Sequence, residues 1–420
     1  MNHELLKRVI YDHHEIIARA SIVPREYHLE ANVNYVLTGL RRAGKSTMLY
    51  AIVQELIASG ISWDEITYVN FEDERLGEFS REDFDDIVAV QSEMCGSHGY
   101  FFFDEIQNID GWEKFARRMA DAHEHVCITG SNAKMLSREI EGALGGRYTS
   151  KKIDTYSFSE FLDALGIAHG PRELVATRSG GIIRSRFEEY LRYGGFPENT
   201  ERTDKREYVS GVYQKVLLGD IIARSNICNP SALSLLVKKI AESVRSEISH
   251  TKLSHTLKAV GASISTDTVI DYVSFIKESF LVFSLENHVA KFAERESTPK
   301  YYFSDNGLLN LFLFGKDSAL LENAVAVYLH RRFPEDLCFL KSSTTGIDLD
   351  FYLPEARMAV QVAYSLDEKS SGREVGSLVK LAGTGAEVDR FVIVTFGEER
   401  TITEGGVTIE VVPAHKFLLE

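Results

Sequence analysis

The 420-residue chain has only four cysteines, Cys95, Cys127, Cys228 and Cys338, far apart and never as a CxxC pair. Such spacing argues against a disulfide framework and offers no zinc-ligand pattern. Nowhere is there an apolar run of about 18 residues, the length a membrane-spanning helix needs. The opening MNHELLKRVIYDHHEIIARA is amphipathic and acidic from Glu4 onward, which fits neither a signal peptide nor a transit peptide. The expectation is a cytoplasmic protein with no membrane partner. Positive charge is also in short supply: 47 Lys and Arg face 62 Asp and Glu, a net charge of −15. A chain so acidic repels phosphate backbones unless a basic patch is set apart. With 44% hydrophobic and 26% charged residues it is not a disordered composition. The length predicts about two to four domains.

What is present begins with YVLTGLRRAGKSTMLYAIVQEL, which holds Gly39-x-x-x-x-Gly44-Lys45-Ser46. NYVLT before it reads as a short apolar strand, and STMLYAIVQELI has helical spacing that closes near Gly60. In this strand–loop–helix setting Gly39, Leu40, Arg41, Arg42, Ala43 and Gly44 can turn their backbone N–H groups onto a β-phosphate at a helix N-terminus. Lys45 then reaches the β- and γ-phosphates, Ser46 ligates Mg²⁺, and Thr47 completes the contacting set. ATP and Mg²⁺ are the expected cofactors. The bland alternative is a glycine turn with a solvated lysine.

A second apolar run, GYFFFDEIQNI, ends in Asp104-Glu105. Four large apolar residues in a row suit a parallel strand covered on both faces. Acids at the carboxyl end of such a strand sit where doubly wound sheets bind ligands. Asp104 is expected in the Mg²⁺ shell and Glu105 to polarise the attacking water. HVCITGSNA reads as the next strand, ending in Ser131-Asn132, whose polar side chains can bond the water or the γ-phosphate. GALGGRYTS places Arg147 on a glycine-rich loop, from which it either supplies charge to the transition state or is a plain surface arginine.

With GLRRAGKST, YVNFEDERL, FFFDEIQNIDGWEKF, ITGSNA, LGGRY, YSFSEFL and YGGFPE, then YFSDNGLLN, LENAVAVYL, VQVAYSL and VVPAHKFLL, the chain resembles a family. These are AAA-type ATPases whose C-terminal half is a restriction-endonuclease-like domain of unknown function, the DUF4143 group. The resemblance runs over nearly the whole chain. It implies an AAA-like core with Lys45, Asp104, Glu105 and Asn132 in the roles above, and Arg147 in the family's Gly-Arg element. The expected fold is α/β, in four parts: a P-loop ATPase core at 1–165, a helical lid at 166–245, a winged-helix-like domain at 246–300, and a degenerate restriction-endonuclease-like domain at 301–420.

Within the lid, YVSGVYQKVLLGDIIARSNI reads as an amphipathic helix with Asp220 and Arg224 on a solvated face. From 249 to 288 the pattern is a short helix, a turn at Gly261, a second helix from about Asp267, and a strand from Phe280. A DNA-reading helix should offer Arg, Lys, Asn or Gln to base edges. This one offers Thr266, Thr268, Asp271, Tyr272, Ser274 and the single cation Lys277. Docking of a protein partner is therefore favoured over nucleic-acid contact, and both stay open, as does the oligomeric state.

IDLDFYLPEARMAVQVAY, 347–364, reads as a hairpin that turns at Pro354 to Arg357 and sets Asp350 across from Gln361. Restriction-type nucleases hold a metal on acids here and steady the reacting phosphate with a lysine two residues beyond the second ligand. Ala363 stands at that position. Glu322 on LLENAVAVYLHRRF is the candidate helical acid, and Lys369 or Arg373 could return a cation. Otherwise Glu322, Asp350 and Gln361 are a relic. Three readings compete: an ATP-hydrolysing switch that docks a partner, an ATP-coupled nuclease, and a non-hydrolysing nucleotide-binding regulator. Glu105 favours the first over the third, and Ala363 favours it over the second.

Overall fold

Four short, largely apolar runs and one polar edge segment make five strands between residues 35 and 152. They are β1 (Tyr35–Thr38), β2 (Ile66–Asn70), β3 (Tyr100–Asp104), β4 (His125–Gly130) and β5 (Thr149–Lys152). In this computed structural model they are parallel throughout, in the order β2-β3-β4-β1-β5. The structure describes all residues except 31–32, 97–98, 132–141, 226 and 314, and all other side chains except those of 224 and 368–370. The chain divides into two compact units, Met1–Asp154 with Glu278–Phe280, and Thr155–Lys277 with Leu281–Glu420.

The first unit is a P-loop-type parallel sheet covered on both faces. Its helices are α1 (His3–Arg19), α2 (Lys45–Ala58), α3 (Phe84–Cys95) and α4 (Trp112–Asp121). Side chains alternate along β3, so its phenylalanines divide between two cores. Phe101 and Phe103 join Val36, Val69, Val126 and Ile128 under α1, α3 and α4. Phe102 joins Leu37, Tyr68 and Cys127 under α2. Burying each such ring stabilises the unit by roughly 1.5–3 kcal/mol. Since β4 lies between β1 and β3, whatever ends β4 stands between the loop after β1 and the acids after β3.

The second unit opens with helices, among them Phe158–Ala164, Thr177–Tyr193, Lys205–Lys215, Pro230–Ser243, His250–Ala259 and Thr266–Glu278. An antiparallel pair follows, β6 (Val282–Leu285) and β7 (Lys300–Phe303). Then comes a mixed six-stranded sheet of β8 (Cys338–Ser342), β9 (Ile347–Leu353), β10 (Met358–Ala363), β11 (Arg390–Thr395), β12 (Arg400–Glu404) and β13 (Val407–Pro413). Its order is β12-β13-β11-β10-β9-β8, with β10, β11 and β13 parallel and the other pairs antiparallel. The core between the sheet and the helix Glu368–Ala382 includes Leu349, Val375, Leu378, Ile393 and Ile409. By compactness this second unit begins at Thr155.

The reading of Asp220 is corrected. Val216–Ile222 is a π-helix, so the four-residue spacing to Arg224 does not define one helical face, and Asp220 is buried rather than solvated.

The paired motifs YGGFPE and YFSDNGLLN meet at Asp305. Its carboxylate, 2% exposed, accepts from Gly195 N at 2.8 Å, Thr155 Oγ1 at 2.9 Å and Gly307 N at 2.8 Å. Gly194 makes room: a Cβ there would stand 1.9 Å from Asp305 Oδ1. Burial pushes the Asp305 carboxyl up to about 6, against the pull of the bonds from Gly195, Thr155 and Gly307. Asp305→Ala removes the acceptor for two buried backbone donors and a hydroxyl. The expected loss is about 3–4 kcal/mol in denaturant unfolding of the second unit. An unchanged midpoint contradicts this role.

Candidate nucleotide site

The loop after β1 reverses on glycines. Gly44 is left-handed at φ 99°, capping α2, and Gly39 has φ 143° with room for no side chain, since a Cβ would lie 2.1 Å from the Ile153 carbonyl oxygen. Lys45 opens α2 and is 4% exposed. Its Nζ donates to the carbonyls of Gly39 (3.1 Å) and Leu40 (3.3 Å) and stands 3.7 Å from Glu105 Oε1. Arg41 reaches outward to Glu72 Oε1 at 3.1 Å. Arg25 donates to the carbonyls of Ala43 (3.2 Å) and Asp154 (2.6 Å), which ties the segment before β1 to the loop.

Asp104 and Glu105 end β3, 2% and 8% exposed. Asp104 accepts from Tyr68 OH at 2.7 Å, from Thr129 Oγ1 and from Ser46. Burial, then the neighbouring Glu105, raises the Asp104 carboxyl above its ordinary range despite those bonds. Glu105 is left-handed at φ 52° and goes the other way. Burial pushes it up, but Lys45, Gln107, Arg41 and Ser131 together outweigh burial and hold it below the usual range. Ser131 Oγ lies 3.1 Å from Glu105 Oε2, and Gln107 donates to the same oxygen. Gln107 Oε1 is buried with no hydrogen-bond partner among the described residues, an acceptor left over beside Glu105.

The structure thus brings Lys45, Ser46, Asp104, Glu105 and Ser131 together. Asn132 lies outside the described residues. Arg147 is not brought to this cluster: it bonds Asp121 of α4 and the Gly145 carbonyl (3.0 Å). It precedes β5, whose Thr149 pairs with Tyr35, so it sits at the edge of the sheet where β1 begins, while the phosphate loop follows β1's other end. The residue that motif reading missed is Thr129 on β4, 0% exposed, whose Oγ1 accepts from Glu105 N at 2.9 Å and donates to Asp104. Only the strand order makes it the bridge between both acids. Also missed is a cavity of about 370 Å³ that runs along α2 from Met48 to Ala58, lined on the other side by Ile22, Pro24 and Tyr27.

In the second unit the hairpin register is as the sequence predicts, with Met358, Ala359 and Val360 facing Leu353, Tyr352 and Phe351. Past that point Gln361 replaces the ladder with its side chain: Oε1 accepts from Asp350 N (2.7 Å) and Nε2 donates to the Asp348 carbonyl (2.8 Å). Asp350 Oδ2 accepts from Val362 N at 3.0 Å. Glu322, 0% exposed, accepts from Arg245 Nε and from Tyr302 OH, each at 2.9 Å. The cation beside Asp350 is Lys300 of β7, 3.5 Å from Oδ1. Neither Lys369, whose side chain lies outside the described ones, nor Arg373, bonded to Glu374, was needed to supply it.

Residues 32–162 match the AAA domain family. Residues 184–319 match a domain of unknown function, DUF8612, not the DUF4143 group named on motif resemblance. The chain is 29% identical to an uncharacterised protein of Methanocaldococcus jannaschii over 99% of this chain and 95% of that one. An uncharacterised protein of Haemophilus influenzae is also 29% identical, over 83% of this chain and 89% of the other. Among solved structures, the Walker-type ATPase of Pyrococcus abyssi aligns over 71% of this chain and 99% of its own, at 13% identity and a TM-score of 0.43. AMPPCP-bound DnaA from Aquifex aeolicus aligns over 65% and 88%, at 13% identity and a TM-score of 0.25.

Thr129→Val keeps the shape of the side chain and deletes both bonds to the acids. It should cost about 2–4 kcal/mol of stability, because a buried N–H and a buried carboxylate each lose a partner. Denaturant unfolding of wild type and variant checks this, and equal midpoints contradict it.

Proposed function

We propose that this protein is an ATP-binding and ATP-hydrolysing AAA-type switch that docks a partner through its second unit. The observation that carries the reading is the convergence of Lys45, Ser46, Asp104 and Glu105 around Thr129. A protein that only bound nucleotide would have no use for a second buried acid held ionised beside the phosphate-binding lysine.

The backbone N–H groups of residues 40–45 bind phosphate, and the cavity at Ile22, Pro24, Tyr27 and Met48 takes the base. Ser46 and Asp104, already bonded to each other, are the pair that would hold Mg²⁺. The ion supplies neutralising charge to the phosphates. Without nucleotide Lys45 rests against Glu105 and the loop carbonyls. When phosphate draws Lys45 away, Glu105 loses the cation that depresses its pKa and becomes a better base for the proton of the attacking water. Gln107 Oε1 is the spare acceptor that orients that water. For Arg147, at the far edge of the sheet, we propose a role on the nucleotide of a neighbouring copy.

The partner is a protein or a nucleic acid held without base reading. The helix Thr266–Glu278 carries Ile270, which is exposed, and Lys277 as its single cation, and Val260 on the turn before it is also exposed. This favours apolar docking over DNA contact. The nuclease alternative is disfavoured because Lys300 and Arg245 already stand on Asp350 and Glu322, and Ala363 holds no cation for the reacting phosphate.

Turnover of ATP, measured alone and with double-stranded DNA, single-stranded DNA and RNA, tests the reading. Lys45→Ala should abolish ATP binding at the first unit, and Glu105→Gln should bind ATP there yet turn over at least roughly tenfold slower. Equal turnover in wild type and Glu105→Gln removes the catalytic role of Glu105. Arg147→Ala should keep ATP affinity and lose turnover, with partial recovery on mixing with Lys45→Ala. No recovery on mixing contradicts action between copies.

A further inference from the structure

A cavity of about 470 Å³ opens over the hairpin site of the second unit, lined by Arg245, Lys300, Ser318, Lys316, Lys341 and Arg373 among others. Five cations around one cavity are a local exception in a chain of net charge −15. Three acids line it too, Glu242, Glu247 and the exposed Asp348, so the lining carries a surplus of two positive charges; Glu247 pairs with Lys341 at 2.9 Å and Glu242 with Lys239 at 3.0 Å.

At the floor, two cations belonging to the protein stand against two acids. Lys300 is 3% exposed, lies 3.5 Å from Asp350 Oδ1 and sits 5.1 Å over the Phe339 ring. Arg245 donates Nε to Glu322 at 2.9 Å and Nη1 to Ser318 Oγ at 3.1 Å. It does so from a left-handed backbone at φ 82°, a conformation costly for a residue with a long side chain. A divalent ion between Glu322 and Asp350 would bring two positive charges. Lys300 and Arg245 bring the same two, and both remain fixed.

Fixed cations of this kind keep spare donors. An ammonium has three N–H groups and a guanidinium five, and their anchoring acids use only some of them. Lys316, at the exposed start of the helix Asp317–Arg332, has no acidic partner among the described residues. We propose that this cavity binds a phosphate group of a nucleotide unit without any metal ion, with Lys300 and Arg245 in the place of the metal and Lys316, Lys341 and Arg373 closing round the phosphate. The volume suits a phosphate with its sugar and base attached. The phosphate belongs either to a free nucleotide or to a nucleotide unit in a nucleic-acid strand. The assignment does not rest on the ATPase reading.

The test uses the full chain carrying Lys45→Ala, to silence the first unit, in EDTA. Binding of AMP and of a fluorescein-labelled single-stranded DNA oligonucleotide is measured by titration, with inorganic phosphate as competitor. Two exposed cations are then changed in Lys316→Glu/Lys341→Gln, substitutions that leave the Lys300–Asp350, Arg245–Glu322 and Arg373–Glu374 pairs intact. The expected result is binding in EDTA that phosphate competes, weakened at least roughly tenfold in the double variant, with a salt slope lower by roughly 0.7 for each phosphate the variant no longer neutralises. AMP binding as tightly as the oligonucleotide assigns the site to a free nucleotide, and much tighter oligonucleotide binding assigns it to a strand. No binding of either probe, binding that requires Mg²⁺ or Mn²⁺, or equal binding by the double variant overturns the proposal.

Discussion

Asp104 and Glu105 are adjacent carboxylates buried at the end of one strand, and burying two like charges together is costly unless donors and cations surround them. The first unit is arranged around that constraint. Tyr68 from β2, Thr129 from β4 and Ser46 from α2 all donate to Asp104, while Lys45, Ser131 and Gln107 attend Glu105. Burial and the charge of Glu105 raise the pKa of Asp104 despite its donors, while Lys45 and the other partners of Glu105 outweigh burial and lower that of Glu105.

The second unit meets the same problem and resolves it differently. Glu322 is fully buried, and burial with Asp350 raises its carboxyl, against the pull of Lys300, Arg245 and Tyr302. Here the cations come from β7 and from the residue ending a strained turn, and each is held on its acid. In the first unit Lys45 is bonded to loop carbonyls and faces an acid 3.7 Å away.

Most of the residues that lie together in the first unit, Lys45, Ser46, Asp104, Glu105 and Ser131, were legible in the sequence as candidates. The phosphate loop declares itself because glycine spacing, lysine and hydroxyl must be contiguous to wrap one phosphate, and Asp104-Glu105 because a run of phenylalanines ending in acid fits few other places. The hairpin register followed from alternation and turn length. Asp220 was misplaced because a π-helical stretch shifts the face by one residue, and periodicity assumes a regular helix.

Local chemistry was therefore set by neighbours along the chain, and it reads directly from it: strands by apolar runs, the loop by its glycines, the turn by Pro354 to Arg357. What tertiary structure alone decided is which distant residues share a charge. Thr129 bridges two acids only because β4 is inserted between β1 and β3. Arg147 is parted from the loop because β5 runs parallel to β1. Lys300 reaches Asp350 across fifty residues of sequence. Electrostatic partners are chosen by distance in space, and no periodicity or motif encodes that distance.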